Sequence, residues 1–298
     1  MTETVWLASY PKSGNTWFRI VHANLNAVDD KSFDINALPE RGDIASARGP
    51  FDHLMLIDSG LLTHDEIDGL RPRLYGALAG GAEDDLNGPA VSGPRLVKVH
   101  DAYTRLPSGE LLLGGAAAAR GAIVIVRDPR DVAPSLAHHN HMDIDGAIAW
   151  MNRPDACYCA SCCSQPRPLR QRLLDWSGHV ASWLDQRDIP VHLVRYEDLS
   201  ADPVRRFLAA MTFIGRAVTL EAMERAVRLS DFIQLQTQER EKGFRESSRG
   251  RSFFRKGTVG GWRDELTAEQ VARIEAAHAP MMARLGYELA EATGGIDP

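Results

Sequence analysis

The residues most able to do chemistry near the N-terminus form an octapeptide, Tyr10-Pro-Lys-Ser-Gly-Asn-Thr-Trp17. Small Ser13 and Gly14 let backbone N–H groups approach an anion, and the helix predicted to follow adds partial positive charge at its N-terminus. Lys12 contributes a full charge and Thr16 a hydroxyl donor. The octapeptide, here named the Lys12 loop, predicts an anion site, although it lacks the glycine order of a Walker A loop. The alternative is a plain turn with an exposed lysine.

A second basic site follows the apolar run Ile123–Val126, which leads directly into Arg127. Ligands of open α/β sheets bind beyond the carboxyl ends of the strands. A guanidinium in that place can hold a phosphate through two parallel N–H donors. The alternative is a solvated turn in which two arginines pair with neighbouring aspartates, namely Arg127 and Arg130 with Asp128 and Asp131.

A third basic site lies near the C-terminus, in Phe253-Phe-Arg-Lys-Gly-Thr-Val-Gly-Gly-Trp-Arg263. Arg255 and Lys256 precede a glycine and stand among aromatic residues able to cover a purine. Residues 243–262, here named the Arg255 loop, carry several like charges and glycines and show no helical or strand period. We therefore expect a lid that is mobile without ligand and ordered over a bound anion. The alternative is a rigid surface loop whose arginines pair with Glu239, Glu241 and Glu246.

The elements that must position these sites alternate between short β-rich runs and longer helical patterns, which favours a parallel sheet covered by helices. The predicted strands are Val5–Ser9, Arg95–His100, Ala122–Arg127 and Val191–Tyr196. The predicted helices are Thr16–Asn26, Asp131–His139, one from Leu169 to Leu184, and two that open at the capping boxes Thr63–Glu66 and Thr267–Gln270. Residues 76–93 and 153–168 are expected to be loops.

Composition restricts the classes of function. The 298 residues carry 34 basic and 40 acidic side chains, a net charge of −6 and a pI near 5.9, which argues against non-specific nucleic-acid binding. No apolar run approaches a membrane span and no secretory signal is evident, so a cytoplasmic protein is expected.

Residues 1–298 are predicted to form a single domain. The four cysteines fall within residues 157–163, a spacing that favours reduced thiols over a zinc site or a disulfide framework.

Together the three basic sites resemble those of the sulfotransferases, which take a sulfuryl group from 3′-phosphoadenosine 5′-phosphosulfate (PAPS). The Lys12 loop resembles the family's 5′-phosphosulfate loop, with Asn15 where threonine is common. The segment Ile125–Ser135 resembles the 3′-phosphate segment. Arg255–Trp262 resembles the R-K-G-x-x-G-x-W loop, with Gly261 in place of a frequent aspartate. The matches keep the family's order over most of the chain, which is identified as a member.

The resemblance implies an α/β fold of the P-loop-NTPase-like sulfotransferase type, with a parallel sheet flanked by helices. It implies PAPS as co-substrate, adenosine 3′,5′-bisphosphate (PAP) as product, and no metal. Lys12 would neutralise charge as the S–O bond breaks. The other implied nucleotide contacts are Ser13, Gly14, Asn15, Thr16 and Trp17 at the 5′ end, Arg127, Ser135, Arg255, Lys256 and Gly257 at the 3′-phosphate, and Tyr196, Ser230 and Phe232 near the adenine.

The acceptor side depends on Leu96-Val-Lys-Val-His-Asp101, which resembles the family's K-T-H strand end. The resemblance makes His100 the general base and places Lys98 beside the transferring group. An unperturbed imidazole has a pKa of about 6.5, so a neutral acceptor nitrogen is present near pH 7. The alternative histidines are His138, His139 and His141, on a substrate-side loop or a solvated helix end.

The expected reaction sulfates a hydroxyl, or an amine, of a small-molecule acceptor, with neither nucleic acid nor membrane as partner. One rival is a P-loop kinase, which predicts a full Walker A loop and an acidic magnesium site, and neither is evident in the sequence. A second rival is a non-catalytic PAP-binding protein. The presence of both Lys12 and His100 favours an enzyme.

Overall fold

The structure, a computed structural model, describes residues 3–27, 31–38, 43–81, 94–161, 168–247 and 250–290 of the 298-residue chain. Its centre is a sheet of four parallel strands in the order β2-β1-β3-β6. The strands of this sheet are β1 (Thr4–Ser9), β2 (Arg95–Val99), β3 (Gly121–Val126) and β6 (Val191–Arg195). A separate antiparallel pair joins β4 (Cys157–Tyr158) to β5 (Gln171–Arg172). The predicted α/β class with a parallel sheet is confirmed.

Helices follow the strands along the chain and flank the sheet. They are α1 (Asn15–Asn26), α2 (Arg48–Met55), α3 (His64–Ala79), α4 (Pro129–Asn140), α5 (Ile144–Met151), α6 (Trp176–Leu184), α7 (Tyr196–Ala201), α8 (Pro203–Phe213), α9 (Leu220–Leu229), α10 (Phe232–Lys242) and α11 (Ala268–Arg284). Within the described ranges, no helix has the length and apolar character needed to cross a membrane.

The central strands are covered on both faces, because every residue of β1 and β3 is buried. Side chains alternate along β1: Trp6 and Ala8 enter the apolar cluster on one face, whereas Val5 and Leu7 enter the cluster on the other. This packing gives the loops that follow β1 and β3 a rigid support.

The strand register determines where the site forms. Leu7 of β1 lies opposite Lys98 of β2 and Ile123 of β3, and all the strands run in the same direction. The carboxyl ends of the strands therefore meet at one edge of the sheet. The residues that follow them there include the Lys12 loop, His100, Arg127 and Tyr196.

The helix predicted from Leu169 begins only at Trp176, so that prediction was wrong for residues 169–175. Residues 171–172 pair instead with β4, and Asp175 caps α6 by accepting a hydrogen bond from the Gly178 N–H at 2.7 Å. Apolar spacing is shared by a helix and by a buried irregular segment, so periodicity did not separate the two.

Other boundaries are closer to the prediction. Both capping boxes are confirmed, at the first turns of α3 and α11. Helix α4 begins at Pro129 rather than Asp131, since proline suits a first turn whose N–H groups have no helical partner. Residues 76–79 are the last turn of α3 rather than loop, and β4 lies in the expected second loop. The rest of those two predictions, at 82–93 and 162–167, lies outside the described residues.

Candidate active site

The loops after the parallel strands surround a cleft of about 1320 Å³. Every residue predicted for the site lines it except Ser13, whose side chain is fully buried. The predicted residues in the lining are Lys12, Gly14, Asn15, Thr16, Trp17, Lys98, His100, Arg127, Ser135, Tyr196, Ser230, Phe232, Arg255, Lys256 and Gly257. The fold thus brings together residues as distant in the sequence as Lys12 and Gly257.

The Lys12 loop turns sharply between β1 and α1. Lys12 has φ 69° and Gly14 has φ 104°. A β-carbon at Gly14 would lie 2.6 Å from the Tyr196 ring, so both the backbone and the available space require glycine there. The left-handed conformation is uncommon and strained for lysine, and strain of this kind is concentrated at functional sites.

Two side chains of this loop support its backbone. The Asn15 amide donates to the Leu7 carbonyl at 2.9 Å and to the Ser9 hydroxyl at 3.3 Å, which ties the turn to the end of β1. The Ser13 hydroxyl is buried and has no hydrogen-bond partner among the described residues. Asn15, which stands where the family commonly has threonine, therefore serves the loop with its side chain.

The Lys12 ammonium lies over the ring of Phe253, with Nζ 3.9 Å from the ring centroid. Burial lowers the pKa of Lys12 to about 7, and the charges of Lys98 and Arg127 act in the same direction, because each destabilises a further positive charge. Lys12 is therefore balanced between its charged and neutral forms near neutral pH, and an anion bound beside it favours the charged form.

His100 is oriented by the end of β1. Its Nδ1 lies 2.7 Å from the carbonyl oxygen of Ser9. A carbonyl only accepts, so the proton is assigned to Nδ1 and Nε2 is left as an acceptor. Burial lowers the pKa of His100 to about 3, and the charge of Lys98 adds to the effect. The imidazole is thus neutral across the physiological range, as a proton acceptor must be.

A carboxylate that belongs to none of the motifs also lines the cleft. Glu246 is 2.5 Å from Arg19 and 3.2 Å from Lys98, and it accepts a hydrogen bond from the Thr16 hydroxyl at 3.1 Å. Burial alone would raise the pKa of Glu246, but Lys98 and Arg19 outweigh it and hold that pKa far below its usual range. Its partners are more than 140 positions away, so no local sequence signal could have identified this role.

Arg127 bridges the Lys12 loop and the Arg255 loop. Its guanidinium donates to the Lys12 carbonyl at 3.3 Å and to the Thr258 carbonyl at 2.9 Å, and it lies 4.5 Å from the centroid of the Tyr196 ring. Its Nε is buried and has no hydrogen-bond partner in the part of the chain that is described. A buried donor without a partner is costly, and an anion bound beside Arg127 could accept from it.

The alternative for this turn, in which the arginines pair with neighbouring aspartates, holds only for Arg130. Arg130 pairs with Asp128 at 2.7 Å. Asp131 accepts hydrogen bonds from the N–H groups of Gly260 and Trp262, at 2.7 and 2.9 Å. The Asp131 carboxylate thereby fastens the Arg255 loop beside Gly261, where the family frequently has an aspartate.

The basic pair of the Arg255 loop is held by Glu265. Both terminal nitrogens of Arg255 bond this carboxylate, one of them at 3.0 Å, and the Lys256 ammonium lies 3.1 Å from it. Gly257 has φ 64°, and a β-carbon there would lie 2.5 Å from the Phe232 ring. Its carbonyl accepts from the Tyr196 hydroxyl at 2.9 Å. Glu265 was not singled out from the sequence, and Glu246 was named there only as an alternative partner of the loop's arginines.

Two residues assigned to the adenine, Tyr196 and Phe232, line the cleft together with Trp17, and these three side chains are here named the aromatic wall. Trp17 meets the Tyr196 ring edge-on at 6.1 Å and donates from Nε1 to the Ser230 carbonyl at 3.1 Å. The Ser230 hydroxyl is fully buried and bonds Asn24 and the Ala226 carbonyl, so its side chain serves the support of the wall. Phe232 and half-buried Ser135 both face the cleft.

Further lining residues come from segments without a motif, and they include Ser46, Arg48, Asp52, His139, Tyr158 and Gln171. His139 meets Phe253 edge-on at 6.2 Å, and burial lowers its pKa to about 4. His138 instead bonds the Ser252 carbonyl through Nε2 at 3.0 Å. Of the alternative histidines, His139 is therefore the one that lines the cleft, whereas the others are absent from its described lining.

The described cysteines, Cys157 and Cys159, are unpaired. Cys162 and Cys163 lie outside the described residues. Among the described residues, no group of three or more His, Cys, Asp or Glu side chains is arranged to hold a metal ion. The expectation of reduced, metal-free thiols stays a prediction.

Comparison with known proteins identifies the family to which the chain belongs. Residues 2–286 match the model of the sulfotransferase domain. Cytosolic sulfotransferase 17 of Arabidopsis thaliana is 25% identical over 284 residues, covering 91% of this chain and 71% of that protein. Sulfotransferase 1C2 of Homo sapiens is 21% identical over 297 residues, covering 92% and 81%.

Solved structures show the same fold. Mouse sulfotransferase SULT7A1 complexed with PAP has a TM-score of 0.58 at 19% identity, covering 95% of this chain and 84% of that one. Retinol dehydratase in a complex with retinol and PAP has a TM-score of 0.59 at 18% identity, covering 98% and 84%. The family match spans nearly the whole chain, so the chain belongs to the sulfotransferase family, whose members are PAPS-dependent enzymes.

Proposed function

We propose that this chain transfers the sulfuryl group of PAPS to the hydroxyl, or an amine, of a small-molecule acceptor, with His100 as the general base. The observation that carries this proposal is the neutral imidazole of His100, whose Nδ1 is held by the Ser9 carbonyl while Nε2 is left to accept a proton. Lys12 and Lys98 line the same cleft and supply positive charge for the transferring group.

In the proposed reaction the acceptor oxygen attacks sulfur while His100 Nε2 takes the hydroxyl proton. An O–S bond forms, the bond between sulfur and the bridging oxygen breaks, and its electron pair leaves with PAP. Lys12 and Lys98 stabilise the charge that develops on the bridging and sulfuryl oxygens. Alignment and charge stabilisation supply most of the catalysis, since no covalent enzyme intermediate is needed.

The same proposal assigns the nucleotide. The Lys12 loop binds the 5′-phosphosulfate, Arg127 and Ser135 bind the 3′-phosphate with Arg255, Lys256 and Gly257, and the aromatic wall packs against the adenine. Residues 1–298 act as one domain. The names of the cytosolic relatives support a cytoplasmic location, and the retinol held by a solved relative supports a small-molecule acceptor.

Turnover of radiolabelled PAPS with pooled hydroxyl and amine acceptors tests the function, and mass spectrometry of the products identifies the acceptor by its sulfuryl gain. Isothermal titration with PAP and with ATP separates the rivals. Tight ATP binding with no PAP binding would favour a kinase. PAP binding without turnover of any acceptor would favour a non-catalytic PAP-binding protein.

A further inference from the structure

Each of the two proposed anion sites in the cleft already contains a carboxylate of the chain itself. Glu246 accepts from the Thr16 hydroxyl at 3.1 Å and pairs with Lys98 at 3.2 Å. Glu265 receives both terminal nitrogens of Arg255 and lies 3.1 Å from the Lys256 ammonium. Both carboxylates line the cleft. The protein thus places one anion at each of the two proposed anion sites.

These contacts compete with the same contacts to a ligand. A threonine hydroxyl has a single hydrogen to donate, so Thr16 bonds either Glu246 or a ligand oxygen. Each terminal nitrogen of Arg255 directs an N–H group at Glu265, and a phosphate that takes over this pair of donors takes the place of the carboxylate. A nucleotide that uses the Thr16 hydroxyl must therefore displace Glu246, and one that binds the same two Arg255 donors must displace Glu265.

The carboxylates are also held as anions. Their side chains are only 21% and 16% exposed, for Glu246 and Glu265 respectively. The basic partners outweigh burial and keep the pKa of each below its ordinary value. Each carboxylate therefore repels a second anion that approaches while it stays in place.

We propose that Glu246 and Glu265 determine nucleotide selectivity: each is an internal anion that is exchanged for one anionic end of the donor, Glu246 for the 5′ end and Glu265 for the 3′-phosphate. The inference rests on the proposed assignment of the two ends of the nucleotide. A phosphate dianion replaces a carboxylate monoanion with a gain in charge interaction, whereas a neutral hydroxyl gains nothing. Ligands that lack a phosphate at one end therefore leave the corresponding carboxylate in place.

Binding of three nucleotides to Glu246→Gln, Glu265→Gln and the unaltered chain tests the proposal by isothermal titration. Glutamine keeps the size and an acceptor oxygen but removes the competing charge. Glu246→Gln should tighten PAP and adenosine 5′-monophosphate by about threefold or more and leave adenosine 3′-monophosphate unchanged. Glu265→Gln should tighten PAP and adenosine 3′-monophosphate and leave the 5′-monophosphate unchanged.

Glu241→Gln is the matched control. Glu241 is exposed on α10 and does not line the cleft, so this variant changes net charge equally and should leave all three affinities as they were. Weaker binding, or an equal change for all three ligands, in Glu246→Gln would reduce Glu246 to a structural partner of Arg19 and Lys98. An unaltered chain that binds none of the three nucleotides would instead overturn the proposed function.

A structure of the PAP complex tests the exchange without any variant. Glu246 should then lie beyond hydrogen-bond distance of the Thr16 hydroxyl, and Glu265 beyond that of Arg255. A complex in which both carboxylates keep these contacts with PAP bound would overturn the inference even if a variant failed to fold.

Discussion

The two ends of the cleft use the same kind of charge in different surroundings. At the end formed by the Lys12 loop and β2, Lys12, Lys98 and His100 are largely enclosed, and the pKa of each is lowered chiefly by burial. At the end formed by the Arg255 loop, the side chains of Arg255 and Lys256 are 27% and 46% exposed and share one carboxylate.

This difference separates chemistry from binding. Burial disfavours the charged form of a base, so the enclosed end holds a neutral imidazole at His100 and a lysine, Lys12, whose pKa is lowered to about 7. Exposed basic groups keep their hydration and charge and are suited to holding a phosphate. Loss of the proposed base at the enclosed end should therefore change turnover, whereas loss of a basic group at the exposed end should change affinity.

The largest effect is expected at the enclosed end. His100→Ala should lower kcat for an alcohol acceptor by about 100-fold or more, because the general base is lost, while PAP affinity stays nearly unchanged. Steady-state turnover and PAP titration measure the two quantities. His138→Ala is the control, since its ring bonds a backbone carbonyl and does not line the cleft. Near-normal turnover of His100→Ala would move the base to His139.

Loss of the bridging arginine should be next in size. Arg127→Ala should weaken PAP far more than adenosine 5′-monophosphate, because the guanidinium is proposed to bind the 3′-phosphate. A lost charge-assisted contact costs about 1.5–3 kcal/mol, or roughly 10- to 150-fold in affinity. Titration of both nucleotides measures this selectivity. Arg251→Ala, on the same basic loop but outside the cleft lining, should leave both affinities unchanged. Equal weakening of the two ligands by Arg127→Ala would contradict the assignment.

The pH dependence of the reaction tests the enclosed lysine. Rising pH removes the proton of Lys12, whose pKa is about 7, and with it a charge that attracts the donor. The value of kcat/KM for PAPS, which reports the free enzyme, should fall above pH 7 by up to about tenfold per pH unit. Lys12→Arg should abolish the fall, since arginine stays charged. The control variant Lys256→Arg should keep the wild-type shape of the pH profile. A wild-type profile that is flat from pH 6.5 to 9 would refute the role given to Lys12.

The smallest effect is expected in the Arg255 loop, which the structure already fastens at several points. The amides of Gly260 and Trp262 donate to Asp131, and those of Phe253 and Phe254 donate to Glu239. PAP should therefore slow hydrogen exchange only several-fold, and mainly at residues 255–258. The amides held by Asp131 serve as the internal control. Identical exchange with and without saturating PAP would leave a static site rather than a lid.

Local motifs were enough to predict much of the donor side. Three segments were found in this way: the Lys12 loop, Arg127 and Arg255–Gly257. Each lies within a few residues of a strand end, a helix start or a glycine, so the residue types and their spacing imply the backbone geometry. The four strands of the central sheet and helices α1, α3, α4 and α11 followed from local sequence patterns. Residues 169–175 shared the apolar spacing of a helix without forming one, and α2, α5 and α7–α10 were not predicted. Family membership followed from the order of these motifs and is shown by the match over residues 2–286.

Contacts between residues that are distant in the sequence are seen only in the tertiary structure. Glu246 meets Thr16 across 230 positions, Asp131 meets Gly260 across 129, and His139 faces Phe253 from another element. These contacts decide which carboxylates hold the cations and how far burial lowers the pKa of Lys12 and His100. Burial and charge pairing depend on what the whole fold packs around a residue. The sequence by itself therefore determined the family and the groups proposed for the chemistry, whereas the tertiary structure decided their protonation, their partners and the polar lining of the rest of the cleft.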